Sequence, residues 1–204
     1  MNTTSAESNK EIIEEDLTRL KSIWQHPAYR FLMLFLGLFI LLYYFNIFYI
    51  GIVTPGGYYS PFLDTYLNYI EGLRYVLLQS SAEILKLAGY QVFTTDIWLR
   101  VVGRGGIILA YDCLGYGVMS FFTAFVIAYP KALKSKLWFL PLGLVLIQSL
   151  NIIRFVLLSL YWRHSGLKSF IDHHDLFNII LYIALLGVMF VWVRKGGMGE
   201  KEER

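Results

Sequence analysis

The sequence predicts an all-α polytopic membrane protein with four transmembrane helices, an extracytoplasmic interfacial helix and a short β-hairpin. Three observations predict this class. Of the 204 residues, 56% are hydrophobic and 17% aromatic, and only 16% are charged, where a soluble domain carries about 25%. Uncharged runs at 31–63, 137–153 and 176–193 approach or exceed the length that crosses a bilayer, and a fourth at 114–129 stands between clear flanks. Lysines and arginines flank these runs instead of forming one basic patch, so the net charge of +3 carries no nucleic-acid signal, and membrane lipids, with no nucleic acid, are the expected partners.

Residues 1–30 predict a cytosolic amphipathic segment. From about Asn9, the apolar residues Ile13, Leu17, Leu20 and Trp24 recur at helical spacing. Glu11, Glu14, Glu15 and Asp16 lie in its first half, where they suit the helix dipole, and Pro27 ends it. Because these polar residues precede the first apolar run, that run is expected to be an uncleaved anchor, not a signal peptide. The transmembrane domain is predicted over 31–195. Its first span, 31–53, is closed by Pro55-Gly56-Gly57, and Tyr43, Tyr44, Tyr49, Tyr58 and Tyr59 crowd its far end as an interfacial belt.

Residues 61–88 predict one helix that does not span. Asp64, Asn68, Glu71, Gln79 and Lys86 take one side, and Leu63, Tyr66, Leu67, Ile70, Leu73, Leu77 and Ile84 the other. Gly89 is its expected C-cap. Strands follow at 90–95, 97–102 and 106–110, with Gly103-Arg104-Gly105-Gly106 as a turn. That glycine cluster matches no phosphate-loop pattern. The second span is 114–129 and the third 137–162, in which Arg154 is the one charge. The fourth is 175–193, and 196–204 form a cytosolic tail. Lys21 and Arg30, then Lys131, Lys134 and Lys136, then Arg194 and Lys195 fall on one side of four spans, which makes that side the cytoplasm. Both termini are then cytoplasmic, and 54–113 and 163–174 face outward from the cell membrane.

This topology gathers three ionisable groups at the outer face. Cys113, the single cysteine, is predicted at the N-terminus of the second span, where unpaired N–H groups and the dipole favour a thiolate. Taken alone it reads first as a small apolar filler, and it becomes a nucleophile candidate only with a histidine elsewhere. Arg154 costs about 2.5–3.5 kcal/mol to place in a span, so it is expected to face the bundle interior or an aqueous pocket. Its alternatives are snorkelling to the headgroups or pairing with Asp112. Asn151 and Gln148 share its helix face, a stripe that hydrogen-bonds a substrate or joins two helices. Asp172-His173-His174-Asp175 opens the fourth span. Adjacent helix positions diverge and no further ligand completes a metal set, so no metal or cofactor is expected. One histidine acting as base to a cysteine needs no further ligand.

Three of these stretches, in order, resemble the exosortase and archaeosortase family of membrane-embedded cysteine transpeptidases. They are Asp112-Cys113-Leu114-Gly115, Asn151-Ile152-Ile153-Arg154 and His174-Asp175-Leu176-Phe177-Asn178. Leu114 stands where many members carry serine, and Asn178 stands at a glycine position. The resemblance implies cleavage of a C-terminal sorting signal on an exported protein through a thioester on Cys113, with transfer to water, a lipid or a glycan. It implies His174 as acid and base, with His173 second, Arg154 as oxyanion donor, and Asn151 and Asp112 as supporting residues. From another class, a non-enzymatic membrane subunit or small transporter component would use Arg154 as a structural charge and Cys113 for packing.

Overall fold

The structure, a computed structural model, describes residues 26–56, 58–161 and 173–199, without the side chains of 173–177 and 196–199. The amphipathic helix expected within 1–30 therefore lies outside the described residues except at its end. There, Pro27 opens a helix, at the first-turn position where its missing N–H costs no bond. This helix, α1 (Pro27–Val53), is the first of four elements long and apolar enough to cross a membrane. The others are α4 (Tyr116–Ala128) with the 3₁₀ turn Tyr111–Leu114 before it, α5 (Leu133–Tyr161), and the stretch Asn178–Lys195 of α6 (His173–Gly199). The four expected spans are present, each within a few residues of its predicted bounds.

The stretch 61–88 differs from the expectation, because two helices replace one. α2 (Pro61–Leu67) ends at Asn68, whose backbone leaves the helical region at φ −75°, ψ 73°. The Asn68 side chain then accepts from the Glu71 N–H at 3.0 Å and caps α3 (Tyr69–Leu87), a contact commonly worth about 1 kcal/mol. An asparagine in the middle of an apolar–polar pattern is a better cap than interior residue. The break also changes the apolar face. Ile70, Leu77, Leu78, Ala82 and Leu85 are buried, whereas Tyr66, Leu67 and Ile84, expected on that face, are exposed.

The three expected strands form one antiparallel sheet of order β1 (Val92–Thr94), β2 (Trp98–Val101), β3 (Gly106–Ile108). Leu99, Val101 and Leu109 turn inward and join the α3 face, Val53, Leu114, Tyr116 and Phe155 in one apolar cluster. This cluster seats the sheet and α3 on one end of the bundle, hereafter the sheet end.

A second cluster lies toward the other end: Phe122, Val126, Phe139, Ile147, Leu185, Met189 and Trp192. Phe139 stacks on Trp192 at 4.4 Å between centroids. Gly143 has no side chain because the Phe122 ring occupies the space, with ring atoms 2.1 and 2.4 Å from where a Cβ would stand. That glycine lets α4 and α5 approach closely, as small residues do where lipid supplies no hydrophobic drive between helices. α1 packs on α4 through an aromatic ladder in which Phe35 meets Phe121 edge-on at 5.2 Å and Phe31 meets Phe125 at 5.8 Å. Such pairs contribute about 0.5–1.5 kcal/mol each beyond burial. At the end opposite the sheet, Lys136 donates to the Ile127 carbonyl at 2.7 Å and Lys131 lies 4.2 Å from the Trp192 ring. Cations there complement the C-terminus of α4.

Candidate active site

Cys113 stands at the start of the second span, but in a turn that precedes α4. It sits in the 3₁₀ turn Tyr111–Leu114, and Gly115 then takes a left-handed conformation (φ 79°, ψ 19°) before α4 starts at Tyr116. The direct helix-terminus argument for its thiol is therefore displaced by one turn. The reason is local. Glycine adopts positive φ at little cost and so interrupts the continuous helix that hydropathy alone suggests. Thirteen residues of α4 rise about 20 Å against a hydrocarbon core of about 30 Å. With the preceding turn the segment Tyr111–Ala128 reaches 18 residues, long and apolar enough to cross a membrane.

Two residues of α5 hold this turn. The Gln148 Nε2 donates to the Leu114 carbonyl at 3.2 Å, and its Oε1 accepts from Asn151 Nδ2 at 3.0 Å. Asn151, 2% exposed, lies so close that a Cβ on Gly115 would stand 2.8 Å from its Nδ2. Gly115 is therefore required twice, by its φ and by the amide beside it. The Cys113 N–H donates to the Ala110 carbonyl at 3.0 Å, and the residue is half-buried. The polar stripe of α5 thus acts on the turn itself, fixing where the thiol stands.

Arg154, one turn beyond Asn151, is 6% exposed and faces the bundle interior. Burial and a partner inside the bundle favour the interior placement over the snorkelling alternative. Its described partner is Asn178 and not Asp112, since Nη1 donates to Asn178 Oδ1 at 3.2 Å. A buried guanidinium is tolerated when hydrogen bonds replace its water. Asn178 was not among the residues singled out by sequence. It stood only as a departure from a glycine pattern, and its signal was the spacing that puts it one turn past His174 on the face toward α5.

Asp112, Cys113, Asn151, Arg154 and Asn178 line one cleft of about 730 Å³, together with Phe39, Val118, Phe121, Leu181, Tyr182, Leu185 and Leu186. That volume is in the range that encloses a small ligand or a few residues of a peptide. The polar groups lie toward the sheet end and the apolar ones run down between the helices. Asp112 is exposed at the rim. His173 and His174 open α6 at the same end of the bundle, and their side chains lie outside the described residues. The geometry therefore unites Asp112, Cys113, Asn151 and Arg154, and it brings the start of α6 to them through the Arg154–Asn178 bond.

The family model described as transmembrane exosortase matches residues 19–191. No curated protein and no solved structure matches the chain.

Proposed function

The chain belongs to the transmembrane exosortase family, and from that premise we propose that it cleaves a C-terminal sorting signal of exported proteins through a thioester on Cys113. The observation that carries this reading is that Cys113 and Arg154, from different elements, line the same cleft. The Cys113 thiolate attacks the scissile carbonyl, the C–S bond forms, and the carbonyl electrons move onto oxygen. Arg154 faces that oxyanion. Its planar guanidinium offers several fixed donors, and the bond to Asn178 holds its orientation before charge develops. The intermediate collapses, the C–N bond breaks, and His174 donates a proton to the departing amine. His173 is second for that role.

An acceptor hydroxyl, amine or water then attacks the thioester, loses its proton to His174 and releases the Cys113 thiolate. Asn151 keeps the turn in place and Asp112 lies at the rim toward the start of α6. The proposed orientation puts the sheet end outside the cell membrane and both termini in the cytoplasm, in keeping with the lysines at the opposite end. Loss of the C-terminal signal from a co-expressed exported substrate tests the reading. Cys113→Ala and Cys113→Ser should insert normally and leave the substrate uncleaved. Normal cleavage by either variant contradicts the proposal.

A further inference from the structure

Cys113 borders a second hollow besides the main cleft. A groove of about 250 Å³ runs between β3 and α5, with Gly106–Leu109 on the strand side and Phe155 and Leu158 on the helix side, and it reaches Cys113 at one end. β3 is an edge of the sheet, paired with β2. The register fixes which of its backbone groups are used. The Val101 N–H donates to the Gly105 carbonyl at 2.9 Å and the Leu109 N–H to the Ile97 carbonyl at 2.8 Å, on either side of the Leu99–Ile107 pair. Bonded and non-bonded pairs alternate along an antiparallel ladder. Gly106 and Ile108 therefore direct their N–H and C=O groups away from β2.

The Ile108 carbonyl accepts from the Ala110 N–H at 3.2 Å. Among the described residues, the Gly106 N–H, the Gly106 carbonyl and the Ile108 N–H have no partner. Ile108 is itself 74% exposed, and α5 flanks this edge, with the Ser159 carbonyl accepting from the Gly105 N–H at 3.2 Å and the groove separating Gly106–Leu109 from Phe155 and Leu158. An open strand edge is a template for a further strand. Its two free donors are two residues apart, the repeat of a facing extended chain.

We infer that the β3 edge binds the extended part of the peptide substrate beside the scissile bond, adding it as a fourth strand that delivers the scissile carbonyl to Cys113. The inference rests on the reading of Cys113 as the nucleophile of a peptide-cleaving site. A peptide is the occupant that fits. Main-chain donors and an acceptor at strand spacing require amides opposite them, and the groove is continuous with the cleft at the proposed reacting atom. Recognition through the backbone tolerates varied sequence. Alternate substrate side chains meet Phe155 and Leu158, so that flank favours an apolar residue at every second position.

Two measurements on the full-length protein in membranes test this, with a tagged substrate co-expressed. First, a benzophenone amino acid replaces Ile108, or Leu186 in the main cleft, in the Cys113→Ala background. Substrate should crosslink from both positions. Second, Ile108→Pro removes the outward N–H without touching the ladder to β2, a substitution edge strands accept. It should slow processing at least 10-fold. Thr94→Pro, on the outward-facing register of the opposite edge strand β1, should leave processing unchanged. Crosslinking from 186 but not 108, or a crosslink from 108 to the protein itself, overturns the inference while the nucleophile reading stands. Normal processing by Ile108→Pro does the same. Should Ile108→Pro fail to insert, the crosslinks alone decide. Normal cleavage by Cys113→Ala removes the underlying reading instead.

Discussion

At the scale of single residues, Arg154 separates chemistry from anchoring. A structural charge or headgroup anchor tolerates lysine, because an ammonium on a long stem serves as well. An oxyanion donor held by Asn178 does not, because lysine replaces a planar fork with a compact, strongly hydrated point charge. Arg154→Lys should insert normally yet process substrate ~100-fold more slowly, in line with loss of one oxyanion donor. Arg154→Leu should insert at least as well and be inactive. Pulse-chase processing measured beside insertion decides, and near-normal processing by the lysine variant removes Arg154 from the catalytic group. Gly115 makes a second test that depends only on geometry. An alanine there forces a side chain into a left-handed conformation, costing about 1–2 kcal/mol. Its Cβ would also stand 2.8 Å from the Asn151 amide. Gly115→Ala should therefore lower thermal stability in detergent and also displace Cys113, with processing falling more than the folded fraction does. Processing that merely tracks the folded fraction would mean that the turn does not position the thiol.

At the scale of elements, the α2–α3 corner and the α4–α5 contact each carry a prediction. The Tyr59 hydroxyl donates to the Asp64 carboxylate at 2.7 Å, as does the Asn68 amide, and these bonds hold the Asp64 carboxyl below its ordinary range. A depressed pKa contributes stability above the unfolded value and loses it as pH falls through the folded one. Hydrogen exchange across 59–68, taken relative to the intrinsic rate at each pH, should thus stay constant from neutral pH down to about 4 and rise only below that. Tyr59→Phe should move the rise upward, and an unchanged midpoint would contradict the assignment. Gly143→Ala should cost about 1–3 kcal/mol by overpacking against Phe122, with Phe122→Leu restoring part of it, as thermal melts would show. The spans were legible from hydropathy, because an apolar run in a bilayer has little choice but helix. The sheet was legible from its β-branched and glycine pattern. The break at Asn68 was not, because a cap and an interior polar residue look alike in a periodic pattern. Nor was the turn at Gly115, where one residue's φ separates Cys113 from the first turn of α4. Arg154 and Asn151 were legible as candidates, and both line the cleft, because charge and amide are conspicuous in a span. Asn178 was not, since only the packing of α6 against α5 reveals its bond to Arg154.

At the scale of the whole molecule, the fold is a four-helix membrane bundle whose sheet end carries α3, the sheet and the cleft, and whose opposite end carries the lysines. In the proposed orientation the two ends lie on opposite sides of the membrane. Cysteines placed at Lys134 and Arg104 in a Cys113→Ala background should therefore differ, with 104 labelled by an impermeant maleimide on intact cells and 134 only after lysis. Labelling of both on intact cells would contradict that orientation. The bundle presents one thiol to a cleft beside a buried guanidinium, and the central claim is that this thiol becomes acylated by the substrate. The most direct measurement is mass spectrometry of the Cys113 peptide, isolated at low pH from membranes in which substrate and enzyme are co-expressed and turnover is stopped with acid. The expected result is a thioester on Cys113 that carries the substrate's peptide up to its new C-terminus, adding that peptide's mass less one water, and that hydroxylamine removes. An unmodified Cys113 in membranes that are actively releasing cleaved substrate, with the acyl fragment found on another side chain, would contradict it.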